Sequence, residues 1–362
     1  MLSKFLALAL AASMVSAQTY TDCDPTKRSD CPARKAVGSK PVNIDFRQGK
    51  NKFFKEAEGT KLTYDKDLGA VFSIANENQA PTVGSDAYIF FGQVDVVLRA
   101  APGPGVVTSF VLQSDDLDEI DWEWLGGDNA QVQHNYFSKG CTETYDRGGF
   151  SPVADPIGAF HTYTIKWTSE QLDWIIDGQV VRTLKNTGIE GCAGYPQSPM
   201  QIKLGTWVAG RKDAPQGTIE WAGGLADFSN GPSDGYYQSL KIIDYMGGHK
   251  EATEYQYGDK SGTWQSIKVI GSSGVVSSSS SVTSKATTKT ATSATTLQTV
   301  TSSTALGATN GTLTTDVTTT PTSTTEEVTE TETAIPTGAA GKVALSNMAA
   351  MGAAAVLGYL VL

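Results

Sequence analysis

The sequence predicts an all-β sandwich. Short runs rich in Val, Ile, Phe, Tyr and Trp, each of strand length, are separated at close spacing by Gly, Pro, Asn and Asp. The 362 residues include 37 Gly and 14 Pro beside 7 Trp, 13 Tyr and 12 Phe, which suits many short strands better than long helices. Nowhere does a strand alternate with a long helix, so a parallel Rossmann or barrel architecture is disfavoured, and no internal repeat is found.

Charge and cysteine content narrow the function. There are 28 Lys and Arg against 38 Asp and Glu, a formal net charge of -10, and no basic block that could neutralise phosphates in series. Nucleic acid is therefore a poor partner. Four cysteines are too few for a miniprotein built on disulfides, and their even number fits two bridges in an oxidising compartment.

The two ends of the chain point to that compartment. Residues 1–17 carry Lys4, an apolar stretch from Phe5 to Val15 and small residues at a cleavage site, the layout of a signal peptide that leaves Gln18 as the first mature residue. Val343 to Leu362 is nearly all apolar, yet no Lys or Arg follows it. With Gly338, Ala339 and Ala340 ahead of it, the segment 338–362 reads as a glycosylphosphatidylinositol (GPI) anchor signal, Gly338 being the attachment site. A C-terminal membrane helix is the alternative. Residues 271–337 are Ser and Thr over more than half their length and cannot bury a core. In a secreted chain they read as a glycosylated stalk, with Asn310-Gly311-Thr312 as the acceptor sequon for an N-linked glycan, or as a plain linker. About 65 extended residues at about 3.3 Å each would reach on the order of 200 Å.

One large domain remains, residues 18–270. Its strands are expected at Tyr88 to Arg99, Val106 to Gln113, Glu119 to Leu125, Val132 to Phe137, His161 to Trp167, Leu172 to Ile176 and Gln201 to Val208. Asp177-Gly178 between two apolar runs is a two-residue hairpin signal, because both central positions of a type I′ turn need positive φ. Pro102-Gly103-Pro104-Gly105 likewise separates two strands.

The strand Glu119-Ile120-Asp121-Trp122-Glu123-Trp124-Leu125 alternates strictly. Alternate side chains of a strand point to opposite faces, so Glu119, Asp121 and Glu123 share one face while Ile120, Trp122 and Trp124 share the other. Like charges in a row repel, so three carboxylates backed by large aromatics ask for a chemical reason rather than a solvated edge. Retaining glycoside hydrolysis supplies one, since it needs two carboxyl groups about 5–5.5 Å apart. The Cα atoms of Glu119 and Glu123 would be about 13 Å apart along the strand, so both side chains must lean inward. Asp121 between them would drive their pKa values apart. A calcium site is the competing reading, but a flat strand gathers six to eight oxygens poorly. A Ser-His-Asp triad lacks support, because His134, His161 and His249 lie near no nucleophile elbow.

The run Asp118 to Leu125, with Ser109 to Leu117 before it and Gly126-Gly127-Asp128 after it, resembles the active-site segment of glycoside hydrolase family 16. Within that family it is similar to the fungal Crh-type cell-wall chitin-glucan transglycosylases. The resemblance spans nearly all of residues 18–270 and extends to the layout of signal, stalk and anchor. It implies a concanavalin-like β-jelly-roll with a concave substrate cleft. Glu119 would then be the nucleophile, Asp121 the assisting acid and Glu123 the proton donor and base. The implied reaction breaks a β-1,4 bond of chitin and passes the donor end to a β-glucan or chitin acceptor. A plain endo-β-glucanase or chitinase is the alternative within the class, and a non-catalytic lectin-like wall-binding module is the alternative outside it.

Polysaccharide clefts combine aromatic platforms with hydrogen-bonding groups. Gln133 and Asn135 alternate with apolar and aromatic neighbours on a strand expected beside the catalytic one, and resemble the cleft-facing polar pair of related enzymes. Lys203 and Trp207 fall on one face of their strand with Gly205 and are the leading substrate contacts. The family often has Arg where Lys203 stands. Thr218 and Trp221 resemble a further family segment that lines donor subsites. Of the three possible cysteine pairings, adjacency favours Cys23 with Cys31 and Cys141 with Cys192. The chain is expected to act as a monomer without cofactor, nucleotide or metal, at the cell wall or the outer face of the plasma membrane.

Overall fold

The computed structural model describes residues 21–144 and 146–275. The expected signal peptide with Gln18, the Ser/Thr-rich stretch from 276 onward with Asn310, and the expected anchor signal with Gly338 lie outside the described residues, while 271–275, expected in that stretch, belong to the folded domain. Two antiparallel sheets form the sandwich. The first has seven strands in the order Gly149–Pro152, Gln131–Phe137, Glu119–Leu125, Val106–Ser114, Met200–Val208, Thr82–Ile89 and Phe54–Glu56. The second runs Gln179–Lys185, Gln171–Ile176, His161–Trp167, Gly92–Arg99, Ser233–Asp244, Gly69–Ile74 and Thr63–Asp65, with Val42–Asp45 paired to the long Ser233–Asp244 strand. A small third sheet joins Arg34–Lys35 to Glu254–Tyr257, Ile267–Gly271 and Gly274–Val275. The only α-helix among the described residues is Gln216–Trp221.

Turn chemistry behaves as its residues dictate. Asp177 and Gly178 have φ of 48° and 82°, the two left-handed positions of a type I′ hairpin. The run Tyr88 to Arg99, expected as one strand, is two. Thr82–Ile89 ends in the first sheet, the chain steps through Phe91 at φ 59° and Gly92 at φ 152°, and Gly92–Arg99 begins in the second. Residues 87–92 are apolar and buried without a break, so the apolar pattern runs on through the step and hides it. Gly92 is required there, because a Cβ would collide with the Ile243 carbonyl oxygen.

The core lies between the two sheets. From the catalytic strand come Ile120, Trp122 and Trp124, which meet Tyr163, Trp167 and Trp174 of the second sheet, all fully buried. Trp124 and Tyr163 pack edge to face with ring centroids 4.5 Å apart. Two indoles hydrogen-bond across the core: Trp122 Nε1 donates to the Thr164 carbonyl (3.4 Å) and Trp174 Nε1 to that of Asp121 (3.1 Å). The aromatic face of the strand thus fixes the height and tilt of its carboxylate face. Cys23 is bonded to Cys31 and Cys141 to Cys192.

Candidate active site

The strand register lays out the site in rows on the sheet face turned away from the core. Gln113, Glu119 and Phe137 lie opposite one another, then Val111, Asp121 and Asn135, then Ser109, Glu123 and Gln133. On the other side of Val106–Ser114, the strand Met200–Val208 sets Gln201 against Gln113, Lys203 against Val111, Gly205 against Ser109 and Trp207 against Val107. Glu119, Asp121, Glu123, Gln133, Asn135, Lys203 and Trp207 are thereby brought onto one floor. Period-two alternation alone produces this, since each strand keeps its apolar set on the core.

Electrostatics divides the three acids. They form a deep floor, 8%, 1% and 5% exposed for Glu119, Asp121 and Glu123. Burial first, and the Glu119 charge second, push the Glu123 carboxyl up from 4.5 to about 8, so it holds its proton at neutral pH. Asp121 is pushed well above the ordinary carboxylate range by burial and then by the charges of Glu119 and Glu123. No neighbouring strand donates to either Asp121 oxygen. Its carboxyl faces Glu119, ready to form a hydrogen bond once it carries a proton. Glu119 has a specific donor in Gln113, whose Nε2 lies 2.8 Å from Oε2.

The surrounding residues divide into contacts and supports. Trp221, on the short helix, donates its indole N–H to Gln133 Oε1 at 2.9 Å and stacks on Trp207 with centroids 6.0 Å apart. Trp207 is consequently 2% exposed and belongs to a small apolar cluster with Val107, Ala209 and Ala222. Gln133 Nε2 and Thr218 Oγ1 are buried without a hydrogen-bond partner among the described residues. Asn135 accepts from the Tyr136 main-chain N–H. Lys203 is buried, and its ammonium donates to Gln113 Oε1 at 2.6 Å. Gln113 is the functional residue that sequence reasoning left without a role, although its alternation with Val111 and Ser109 placed it on this face. Two cavities touch the same floor. One of about 460 Å³ is bordered by Glu58, Lys61, Glu77, Trp207 and Arg211, and one of about 350 Å³ by Lys55, Gly84, Tyr88 and Gln201. Neither is lined by the three acids.

His134 lies on the core side of its strand, with Nε2 at 2.9 Å from Ser151 Oγ and Arg182 beside Nδ1, and takes no part in the floor. The cluster Cys141, Glu143 and Cys192 has its two sulfurs bonded to each other, which removes them as thiolate ligands.

A β-sandwich with two Glu carboxyl groups on one sheet face, one of them holding its proton at neutral pH, bordered by indoles and amides, is the architecture of a polysaccharide-cleaving glycosidase. Residues 41–223 match glycosyl hydrolases family 16, and the chain belongs to that family. It is 48% identical over 277 residues to Crh-like protein 5 of Aspergillus fumigatus, covering 76% of this chain and 69% of that protein. To Crh-like protein 4 of Botryotinia fuckeliana it is 48% identical over 264 residues, 73% of this chain and 68% of that one. The solved structure of the Crh5 transglycosylase in complex with NAG superimposes with a TM-score of 0.64 at 48% identity, over 68% of this chain and 99% of that one.

Proposed function

We propose that the protein is a retaining transglycosylase that cleaves β-1,4-linked chitin and transfers the donor end to a β-glucan or chitin acceptor. The observation that carries this reading is the shared face of Glu119, Asp121 and Glu123, with Glu123 protonated beside a hydrogen-bonded Glu119. Glu119 attacks the anomeric carbon while Glu123 gives its proton to the leaving oxygen, so one C–O bond forms as the other breaks. Glu123, now a carboxylate, takes the proton of the incoming acceptor hydroxyl. That oxygen bonds to the anomeric carbon and Glu119 departs, so the configuration is retained. Asp121 shares its proton with Glu119 and offsets the charge change there.

Family membership and the transglycosylase relative solved with NAG support the reaction and the sugar class. Gln133 Nε2 and Thr218 Oγ1 support a role in holding a sugar, because buried polar atoms without partners gain most from ligand hydroxyls, and Trp221 orients Gln133 through its indole N–H. The leader, the Ser/Thr-rich stretch and the anchor signal support secretion to the cell wall or outer membrane face on a GPI anchor.

The test is to incubate the protein with a chitin oligosaccharide and a fluorescent β-1,3-glucan oligosaccharide. Labelled products of higher mass are expected, and Glu119→Gln should abolish them. New reducing ends without labelled hybrids would replace the reading by a hydrolase, and sugar binding untouched by Glu119→Gln without turnover in either protein would replace it by a lectin.

A further inference from the structure

We infer that Gln113 is a positioning residue that couples the Lys203 ammonium to the Glu119 carboxylate. The three side chains form an unbroken chain: Lys203 Nζ donates to Gln113 Oε1 at 2.6 Å, and Gln113 Nε2 donates to Glu119 Oε2 at 2.8 Å. Chemistry fixes the sense of the amide. An ammonium has no acceptor, so it must face the carbonyl oxygen, which leaves the NH₂ group for Glu119. Gln113 is 3% exposed and Lys203 5%, so solvent competes with neither bond. The strands impose the arrangement, since Gln113 stands directly opposite Glu119 on one side and Gln201 on the other, two residues from Lys203.

Lys203 therefore acts on the nucleophile through Gln113. An amide whose oxygen is held by a cation is a stronger donor from its nitrogen. It holds Glu119 ionised among acids that burial drives toward protonation, and it stabilises the same carboxylate when it leaves the sugar in the transfer step. The charged and titratable groups around Glu119 are few. Its own strand supplies Asp121 and Glu123, and the Met200–Val208 strand supplies Lys203. The turn after Val106–Ser114 supplies Asp115, which is ion-paired to Arg34 at 2.6 Å. Asp22 of the N-terminal segment acts on Lys203 at longer range. The Gln131–Phe137 strand opposite contributes uncharged Phe137 and Asn135, with the Arg147 guanidinium over the Phe137 ring and bonded to the Tyr136 and Cys141 carbonyls, and Asp118 before Glu119 is paired with Lys139. Lys203 is the cation of this set that is hydrogen-bonded to Gln113, and Glu119 acts on it more strongly than Asp115, which is paired with Arg34.

The inference rests on the reading of Glu119 as nucleophile, and its test separates the two. The transfer assay is run across pH on the full chain and on Gln113→Met, Lys203→Met, Lys203→Arg and the double Met variant, each checked by thermal unfolding. Gln113→Met and Lys203→Met should each lower kcat about 10- to 100-fold with KM little changed, and move the acidic limb of kcat/KM to higher pH by about one unit. The double variant should be no worse than the poorer single, and Lys203→Arg should return the limb toward its original place. An unmoved acidic limb, multiplying losses, or a rise in KM as the main effect of Lys203→Met would overturn the coupling. A ¹³C titration of the Glu119 carboxyl in the full chain and the same variants needs no turnover. It reads the coupling even if the transglycosylase reading fails, and covers the Lys203 pair if Gln113→Met does not fold.

Discussion

Lys139 Nζ lies 2.7 Å from Asp118 Oδ2 and 2.8 Å from Asp116 Oδ2, both carboxyls being fully buried. Asp118 also accepts main-chain N–H bonds from Lys139, Gln197 and Ser198. The residue before Glu119 is thus tied to the end of the Gln131–Phe137 strand and to the segment entering Met200–Val208, so this one cluster fixes where two strands of the floor begin and a third ends. Burial raises Asp118 to about 6 while Lys139 opposes that rise. Lys139→Met would leave two buried acids without their cation, at a cost of about 3–5 kcal/mol. Thermal unfolding should fall by roughly 6–20 °C at pH 8. It should fall less at pH 5, where Asp118 escapes the penalty by taking up a proton. An unchanged melting temperature at pH 8 would contradict this account.

The protonation of Glu123 sets the alkaline limit of the reaction. A proton donor raised to about 8 is competent at neutral pH and lost above it, so kcat/KM should be flat near pH 7 and decline above about pH 8. Burial brings Lys203 down to about 8 as well, so the observed limb belongs to the coupled set. Lys203→Arg removes one of the two titrations and should leave a limb of single-proton slope. Glu123→Gln should lower transfer about 10²- to 10⁴-fold. A donor substrate with an activated leaving group needs less protonation and should lose less. Equal losses on both donors would argue against Glu123 as the acid.

Trp221 joins the two sides of the floor through its hydrogen bond to Gln133 and its stacking on Trp207. Trp221→Phe keeps the ring but removes the donor, leaving Gln133 with both ends of its amide unmatched. Trp221→Ala removes both. The expected outcome is a KM rise of about 5-fold for Phe and more than about 10-fold for Ala, with kcat changing less. Calorimetric binding of chitin oligosaccharides to the Glu119→Gln background checks this without turnover. Identical affinities in the three proteins would reduce Trp221 to a packing residue.

What the sequence made legible follows from which signals are local. The Glu119–Leu125 alternation, the Asp177-Gly178 turn and the faces of Gln133, Asn135, Lys203 and Trp207 all depend on period-two geometry or on one turn, and the register bears them out. The step at Phe91 and Gly92 was illegible because buried apolar residues run unbroken from Ala87 to Gly92, with no polar residue between the two strands. The role of Gln113 was hidden for another reason. Its two partners lie on different strands, 6 and 90 residues away, and no pattern along one strand announces a bond across three. The cover that Trp221 places over Trp207 is a tertiary contact of the same kind.

The site should also burden the fold in a pH-dependent way. Glu123 has a folded-state pKa raised from 4.5 to about 8, and Asp118 and Asp244 are raised from 3.8 to about 6, in each case chiefly by burial. A raised group makes the folded chain bind a proton that the unfolded chain has released. Its contribution is fully present below the unfolded value and is lost as pH climbs through the folded one. Asp118 and Asp244 spend theirs between about pH 4 and 6, and Glu123 between about 4.5 and 8. Stability from these three groups therefore declines from acid toward neutral pH, and Glu123 alone continues the decline above 6. Glu123→Gln replaces a buried acid by a neutral group of the same shape. It should raise the melting temperature at pH 8 by roughly 2–4 °C for each kcal/mol relieved, and leave it nearly unchanged at pH 4.5. The check is a pair of thermal unfolding series across that range. Parallel curves for the two proteins would mean that Glu123 ionises in the folded chain as readily as in the unfolded one.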